Sequence, residues 1–262
     1  MKFSAIFISS ALLLAESTLG SSLGNRLSRR TSGRKSQPII QSAEQAAGSN
    51  TTQTEFSQNW SGVVLESPPA GETFNKVVGT FTIPSVSGSG AASAWVGIDG
   101  DTYADAILQA GVDFTIDDGD VSFDAWYEWF PDVSHDFTDF DMSEGDEIKI
   151  TIAASTLSEG KVTIENVSTG KSVSKAPLGS IFVSYSNLGG QNAEWIVEDF
   201  EEGDSLVKFC DFGTVKFTDA SASTAESTVG VTGGTVIDIE QSSKVLTAVT
   251  VDSDSSITIA YK

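Results

Sequence analysis

The sequence predicts an all-β protein, an antiparallel sandwich of two packed sheets, on three observations. From residue 55 onward, apolar and polar residues alternate in short runs separated by clusters of Gly, Asn, Asp and Ser. No stretch carries an amphipathic helical period over three turns. The 208 residues from 55 to 262 lie in the range that an all-β fold fills as one domain.

In chain order, residues 1–20 come first and read as a secretory signal. Lys2 supplies the positive end, residues 5–14 are apolar, and small residues follow at Ala15, Ser17 and Gly20. That run is about ten residues, short of the roughly 20 that span a bilayer. No later run approaches that length, so the mature protein is expected to be secreted, extracellular and independent of membranes. Residues 21–54 are rich in Ser, Gly, Gln and basic residues without a sustained apolar period. They read as a basic pro-segment, with dibasic processing options at Arg29-Arg30 and Arg34-Lys35. Residues 55–262 form the predicted sandwich domain, expected to be a monomer.

Charge divides the chain at the same place. Residues 1–54 hold six of the 15 basic residues and only two acids, whereas residues 55–262 keep nine Lys, no Arg and 34 acids. The balance of −25 against +4 suits a pro-segment that covers an acidic groove and acts as the protein's own inhibitor until groove carboxylates lose charge in acid. A surface of this sign repels nucleic acid phosphates, so no nucleic acid partner is expected. His135 is the single histidine and Cys210 the single cysteine. One histidine makes no two-His metal centre, and one cysteine makes no internal disulfide. Cys210 is expected to be a buried apolar residue. No metal and no other cofactor is expected.

Strand signals fall at 62–65, 76–83, 92–98, 104–114, 120–130, 147–153, 161–166, 193–198, 207–217, 244–251 and 256–261. Period-two reading separates the faces of four of them. In 104–116, Ala106, Leu108, Ala110, Val112 and Phe114 form a core face, and Asp105, Gln109, Gly111 and Asp113 form the other. In 92–99, Ala94, Val96 and Ile98 oppose Trp95, Gly97 and Asp99. Asp124, Trp126, Glu128 and Phe130 share one side, as do Glu194, Ile196, Glu198 and Phe200. Faces that mix carboxylates, one amide and large aromatics suit a groove for an extended polymer.

The residues present also restrict the chemistry. A Ser-His-Asp or Cys-His mechanism would need His135, and no GxSxG turn accompanies it. The chain has no pair of Asp-Thr/Ser-Gly loops. Asp99-Gly100-Asp101 and Asp117-Asp118-Gly119-Asp120 lack the spacing of a Ca²⁺ loop and read as turns. Carboxylate chemistry remains, and Glu128 and Glu198 compete for the base.

Five segments then carry a resemblance: Asn59-Trp60-Ser61-Gly62, residues 94–101 (AWVGIDGD), residues 106–111 (AILQAG), residues 124–131 (DAWYEWFP) and residues 192–201 (NAEWIVEDFE). In this order the chain resembles the fungal glutamic peptidases, the eqolisins, over essentially all of residues 56–262. The resemblance implies a concanavalin-like jelly roll of two large sheets and a metal-independent acid endopeptidase acting on polypeptide substrates. It implies Gln109 and Glu198 as the catalytic pair, Glu198 as general base and acid and Gln109 as partner of the oxyanion. Groove roles are implied for Trp95, Asp99, Trp126, Glu128 and Phe130. Two other readings compete: a glycosidase or lectin-like module, because paired carboxylates and Trp platforms also suit sugars, and a catalytically silent binding protein of the same fold.

Overall fold

The computed structural model describes residues 33–42, 54–179 and 187–262. The expected signal segment, Arg29-Arg30 and most of the expected pro-segment lie outside the described residues. Among the described residues every regular element is a β-strand, and the predicted all-β sandwich is what the chain forms.

The first sheet has nine strands. From one edge it runs β18 (Lys244–Val245), β17 (Thr235–Gln241), β3 (Trp60–Leu65) and β12 (Ala193–Glu198). It continues through β5 (Gly90–Ile98), β6 (Ile107–Asp117), β7 (Asp120–Phe130) and β8 (His135–Asp136). The strand β2 (Thr54–Ser57) joins β17 in parallel. The second sheet begins with β11 (Lys171–Lys175), β10 (Glu159–Asn166), β9 (Glu147–Thr156) and β4 (Lys76–Thr82). It ends with β15 (Thr214–Ser223), β20 (Ser256–Tyr261) and β19 (Thr247–Ser253), and β16 (Thr228–Val229) pairs β15. A small third sheet joins β1 (Arg34–Lys35) to β13 (Glu201–Glu202) and β14 (Ser205–Leu206).

The core lies between the two large sheets, where the alternation predicts it. Ala94, Val96, Leu108, Ala110, Val112 and Phe114 of the first sheet meet Val77, Phe81, Ile148, Ile150 and Phe217 of the second. Full burial of such side chains stabilises by roughly 1.5–3 kcal/mol each. Phe81 packs edge-on against Phe114 and Phe217 at 6.3 and 5.3 Å. Trp195 spans the layer and donates its indole N–H to the Val78 carbonyl at 2.7 Å, which satisfies its one polar group. Cys210 is buried, as expected, and burial pushes its thiol up to about 12.

Several expectations differ in detail. The strand expected at 244–251 is interrupted at Leu246, its start forming β18 of the first sheet and the rest β19 of the second. The strand expected at 104–114 begins at Ile107 and runs to Asp117, leaving Asp105 exposed outside it. The stretch 207–213 is not a continuous strand: it makes only isolated bridges, Phe209 to Ala91 and Asp211 to Ser87, and its Phe209 and Phe212 pack in a cluster with Tyr261. The regular alternation of 235–241 forms β17, which the reading above did not include. The Asp117–Asp120 segment is a tight hairpin turn, with Asp118 at φ 50° and Gly119 at φ 90°, the twist a two-residue loop needs.

One carboxylate fixes the entry to β12. Asp99 follows β5 at φ 72°, and its Oδ2 accepts the N–H groups of Gly189 (2.7 Å) and Gly190 (2.9 Å). Its Oδ1 accepts those of Gln191 (2.7 Å) and Asn192 (3.2 Å). Burial raises its pKa and these N–H groups oppose the rise. The clamp holds the chain so that β12 enters the sheet with Ala193 opposite Ile98 and Glu198 opposite Ser93. Asp99→Ala strands several buried donors, each worth about 1–3 kcal/mol. The expected result is a loss of at least about 3 kcal/mol, read as a lower urea midpoint; an unchanged midpoint with only a raised KM contradicts the clamp.

Candidate active site

The outer face of the nine-stranded sheet carries three successive rows across β7, β6, β5 and β12. The first row is Glu128, Gln109, Gly97 and Glu194. The second is Trp126, Gly111, Trp95 and Ile196, and the third is Asp124, Asp113, Ser93 and Glu198. An aromatic row thus separates two polar rows. Glycine makes the aromatic row possible. A Cβ on Gly111 would stand 2.5 Å from Trp95 Cβ and 2.9 Å from Trp126 Cζ2. Without it both indoles sit down against the strand, in a second apolar cluster with Trp60, Val64, Ile107, Ile196 and Ile237.

Gln109, Glu128, Glu194 and Glu198 are all fully buried on this face, and Asp113 nearly so. The cover is the chain's own segment 33–42. Arg34 is 4% exposed, and its guanidinium forms a two-pronged pair with Asp113, Nη2 to Oδ1 at 2.8 Å and Nε to Oδ2 at 3.0 Å. It stacks 3.8 Å from the centre of the Trp126 ring and 4.4 Å from that of Phe200. Its Nη1 lies 3.5 Å from Glu128 Oε2.

The segment then passes over the carboxylates. Ser36 donates its backbone N–H to Glu128 Oε2 at 3.1 Å, and Gln37 donates its own to Glu198 Oε1 at 3.1 Å. The Gln37 carbonyl accepts the indole N–H of Trp60 at 3.0 Å, and Ile40 N–H donates to Asn59 Oδ1 at 2.8 Å. Arg34 and Lys35 pair with Glu202 and Glu201, so the segment adds a strand to the hairpin of β13 and β14. Of two cavities, one of about 460 Å³ lies at the far end of this track, lined by Ser42, Gln58, Asp199 and Gln241. The other, of about 420 Å³, lies between Glu202 and the Gly90, Thr115 and Asp117 ends of β5 and β6.

Electrostatics follows from burial. Burial pushes Glu198 up to about 7, against the pull of Arg34, the Ser36 hydroxyl, Gln37 N–H and the Trp95 indole N–H, which reaches Oε2 at 3.0 Å. It pushes Glu128 up to about 8; Arg34 and Ser36 N–H oppose the rise and the charge of Glu198 adds to it. Asp199, beside Glu198 in sequence, rises to about 7 by burial, against a hydrogen bond from Gln241. Gln109 makes no hydrogen bond at either side-chain atom, and none joins it to Glu198.

Of the residues nominated from sequence, Gln109, Glu198, Trp95, Trp126 and Glu128 share this face, and Phe130 lies at its edge beneath Lys35, 4.7 Å from its Nζ. Asp99 is turned to its clamp. The sequence reading did not nominate Asp113, Ser93, Asn59, Trp60 or Phe200 as site residues. The period-two pattern had already put Asp113 on the face of Gln109, and that signal was sufficient to find it.

Comparison with known proteins gives one family: residues 58–261 match the Peptidase A4 family. Aspergillopepsin-2 of Aspergillus niger is 44% identical to the chain, with both proteins covered over 100% of their length. Scytalidopepsin B of Scytalidium lignicola is 38% identical over 88% of each. The crystal structure of scytalido-glutamic peptidase with a transition state analog inhibitor superposes with a TM-score of 0.71 at 37% identity, covering 78% of this chain and 98% of that one.

The buried acids set the direction of pH dependence. Glu128 and Glu198 titrate near 8 and 7 in the folded chain, against 4.5 ordinarily, so folding takes up protons between about pH 4.5 and 8. Stability is therefore full below that window and falls as pH rises through it, by a few kcal/mol in order of magnitude. With residues 33–42 in place, the urea midpoint is expected to be higher at pH 5.5 than at pH 8. The opposite order contradicts the burial of these groups in neutral form.

Proposed function

The chain belongs to the peptidase A4 family and is a peptidase, and from that premise we propose a secreted, acid-active endopeptidase that works with the pair Gln109 and Glu198. The observation that carries this reading is the track of residues 33–42. Consecutive backbone N–H groups, of Ser36 and Gln37, rest on the two buried glutamates, which is how an extended polypeptide substrate would lie. A site built for sugars gives no reason for this fit to a peptide backbone.

In the proposed reaction Glu198, ionised, takes a proton from water as the water oxygen bonds to the scissile carbonyl carbon. The Gln109 amide N–H stabilises the oxyanion, a contribution typically worth about 10²–10³ in kcat. The intermediate collapses, the C–N bond breaks, and Glu198 returns its proton to the leaving amine nitrogen. Water is the only co-reactant. Burial is the largest influence holding Glu198 near 7 in the covered state. Departure of residues 33–42 lets water back and lowers it toward the ordinary 4.5, where a carboxylate serves as base in acid and a histidine does not. The indole N–H of Trp95 remains to favour the ionised form.

Residues 21–54 act as an inhibitory pro-segment in this reading, with 1–20 as signal and 55–262 as the peptidase domain. Arg34 is the anchor through its two-pronged pair with Asp113. Glu128 and Glu198, near 8 and 7 under the cover against 4.5 ordinarily, take up protons on covering. Acid therefore does not loosen the segment through these two, contrary to the expectation from the charge balance.

Two experiments test these assignments. Glu198→Gln and Gln109→Ala are expected to lower kcat on denatured protein at about pH 3 by at least about 10³ and about 10²–10³ with the urea midpoint retained. Glu128→Gln should stay within about tenfold of the parent; if it is the inactive variant and Glu198→Gln the active one, the roles are reversed. A synthetic peptide of residues 33–42 is expected to inhibit the processed enzyme at about pH 5. Replacing its Arg34 by Ala should weaken inhibition at least about 30-fold, the loss of one partner of a buried charge pair. Equal inhibition by both peptides removes Arg34 as anchor.

A further inference from the structure

Glu194 has no task in the reaction above, yet it is buried in the middle of the site face. It stands opposite Gly97 on β5, and Gly97 stands opposite Gln109 on β6. A Cβ on Gly97 would be 2.6 Å from Glu194 Oε1 and 3.3 Å from Gln109 Cβ, so the two side chains meet over the missing methyl group. Both residues are 0% exposed. Neither oxygen of Glu194 and neither polar atom of Gln109 has a hydrogen-bond partner. Four unsatisfied polar atoms on one buried face are costly, and each side chain can complement the other across Gly97. Glu128 Oε1, opposite Gln109 on the other side, is likewise unpartnered, but Glu128 already takes the Ser36 N–H and faces Arg34.

The protonation of Glu194 decides which way such a pair joins. Burial raises its pKa well above the ordinary value, and the charged groups that act on it, Asp99 and Asp101 in the turn after β5, are acids that raise it further. A neutral carboxyl carries an O–H donor, as carboxyl groups in apolar sites do. An ionised one would instead draw the amide N–H of Gln109 away from the reacting centre.

We propose that Glu194 is a positioning residue: its carboxyl O–H donates to Gln109 Oε1, directly or through one water, and turns Nε2–H toward the scissile carbonyl. The inference rests on Gln109 supplying the oxyanion donor. Gly97 is part of the device, because any side chain there would stand between the two. The carboxyl group transfers no proton to substrate.

Steady-state kcat and KM of the processed enzyme at about pH 3 test this, with urea midpoints for each variant. Glu194→Met, similar in length but without a donor, is expected to lower kcat about 10- to 100-fold with KM within about threefold and the midpoint maintained. Glu194→Gln keeps an N–H donor and is expected to recover kcat to within about threefold. The double variant Gln109→Ala/Glu194→Met should be no slower than Gln109→Ala alone. Unchanged kcat in Glu194→Met, or Glu194→Gln as slow as Glu194→Met, overturns the proposal. So does a loss of kcat that only follows loss of folded protein. If Gln109→Ala itself retains full activity, the reading of the pair fails and this inference with it. A slow Gln109→Ala beside a fully active Glu194→Met sinks Glu194 alone. Should Glu194→Met not fold, Glu194→Asp, which withdraws the carboxyl by one methylene, replaces it, and parental kcat there sinks the proposal.

Discussion

A guanidinium held among buried carboxylates is the interaction on which the described state depends. Arg34 meets Asp113 with two nitrogens, approaches Glu128 and lies between the rings of Trp126 and Phe200. Without a cation there, a face that buries Asp113, Glu128, Glu194 and Glu198 would have to keep its acids neutral or let water in. Glu128 and Glu198 stay well above the ordinary glutamate range even with Arg34 present, because burial outweighs its pull. The segment that supplies the charge also closes the site to solvent, so one short stretch both raises and compensates the cost of burying these groups.

The nine-stranded sheet makes such a face affordable by separating its two sides strictly. On β12, Ala193, Trp195 and Val197 enter the core while Glu194, Ile196 and Glu198 face outward. The core side is continuous hydrocarbon joined to the second sheet. The outer side carries polar rows separated by indoles that Gly111 allows to lie close to the backbone. The Asp99 clamp sets where β12 begins, and a slip of one residue would send Glu198 into the core and Trp195 into the groove. Stability and site geometry are therefore the same constraint, expressed on opposite faces of the same strands.

Much of this is legible in the sequence. Alternation alone assigns Gln109, Gly111 and Asp113 to one face and Leu108, Ala110 and Val112 to the other, and the structure has them so. It misplaces 207–213 because an apolar run looks the same whether it forms a ladder or a plug against Tyr261. It groups Asp99 with Trp95 on one face, but does not show that both its oxygens are taken by backbone N–H groups some 90 residues away.

The sequence by itself determined the all-β class, the two faces of the central strands, the acidic balance of residues 55–262 against the basic balance of 1–54, and, through its motifs, the peptidase family. These are local or compositional properties, set by period, residue type and order along the chain. Only the tertiary structure decided which outward residues share a row, that Arg34 lies on Asp113, and that Glu194 and Gln109 meet over Gly97. Each of those depends on the register between strands distant in sequence, and register is fixed by packing and by clamps such as Asp99 that no single strand encodes.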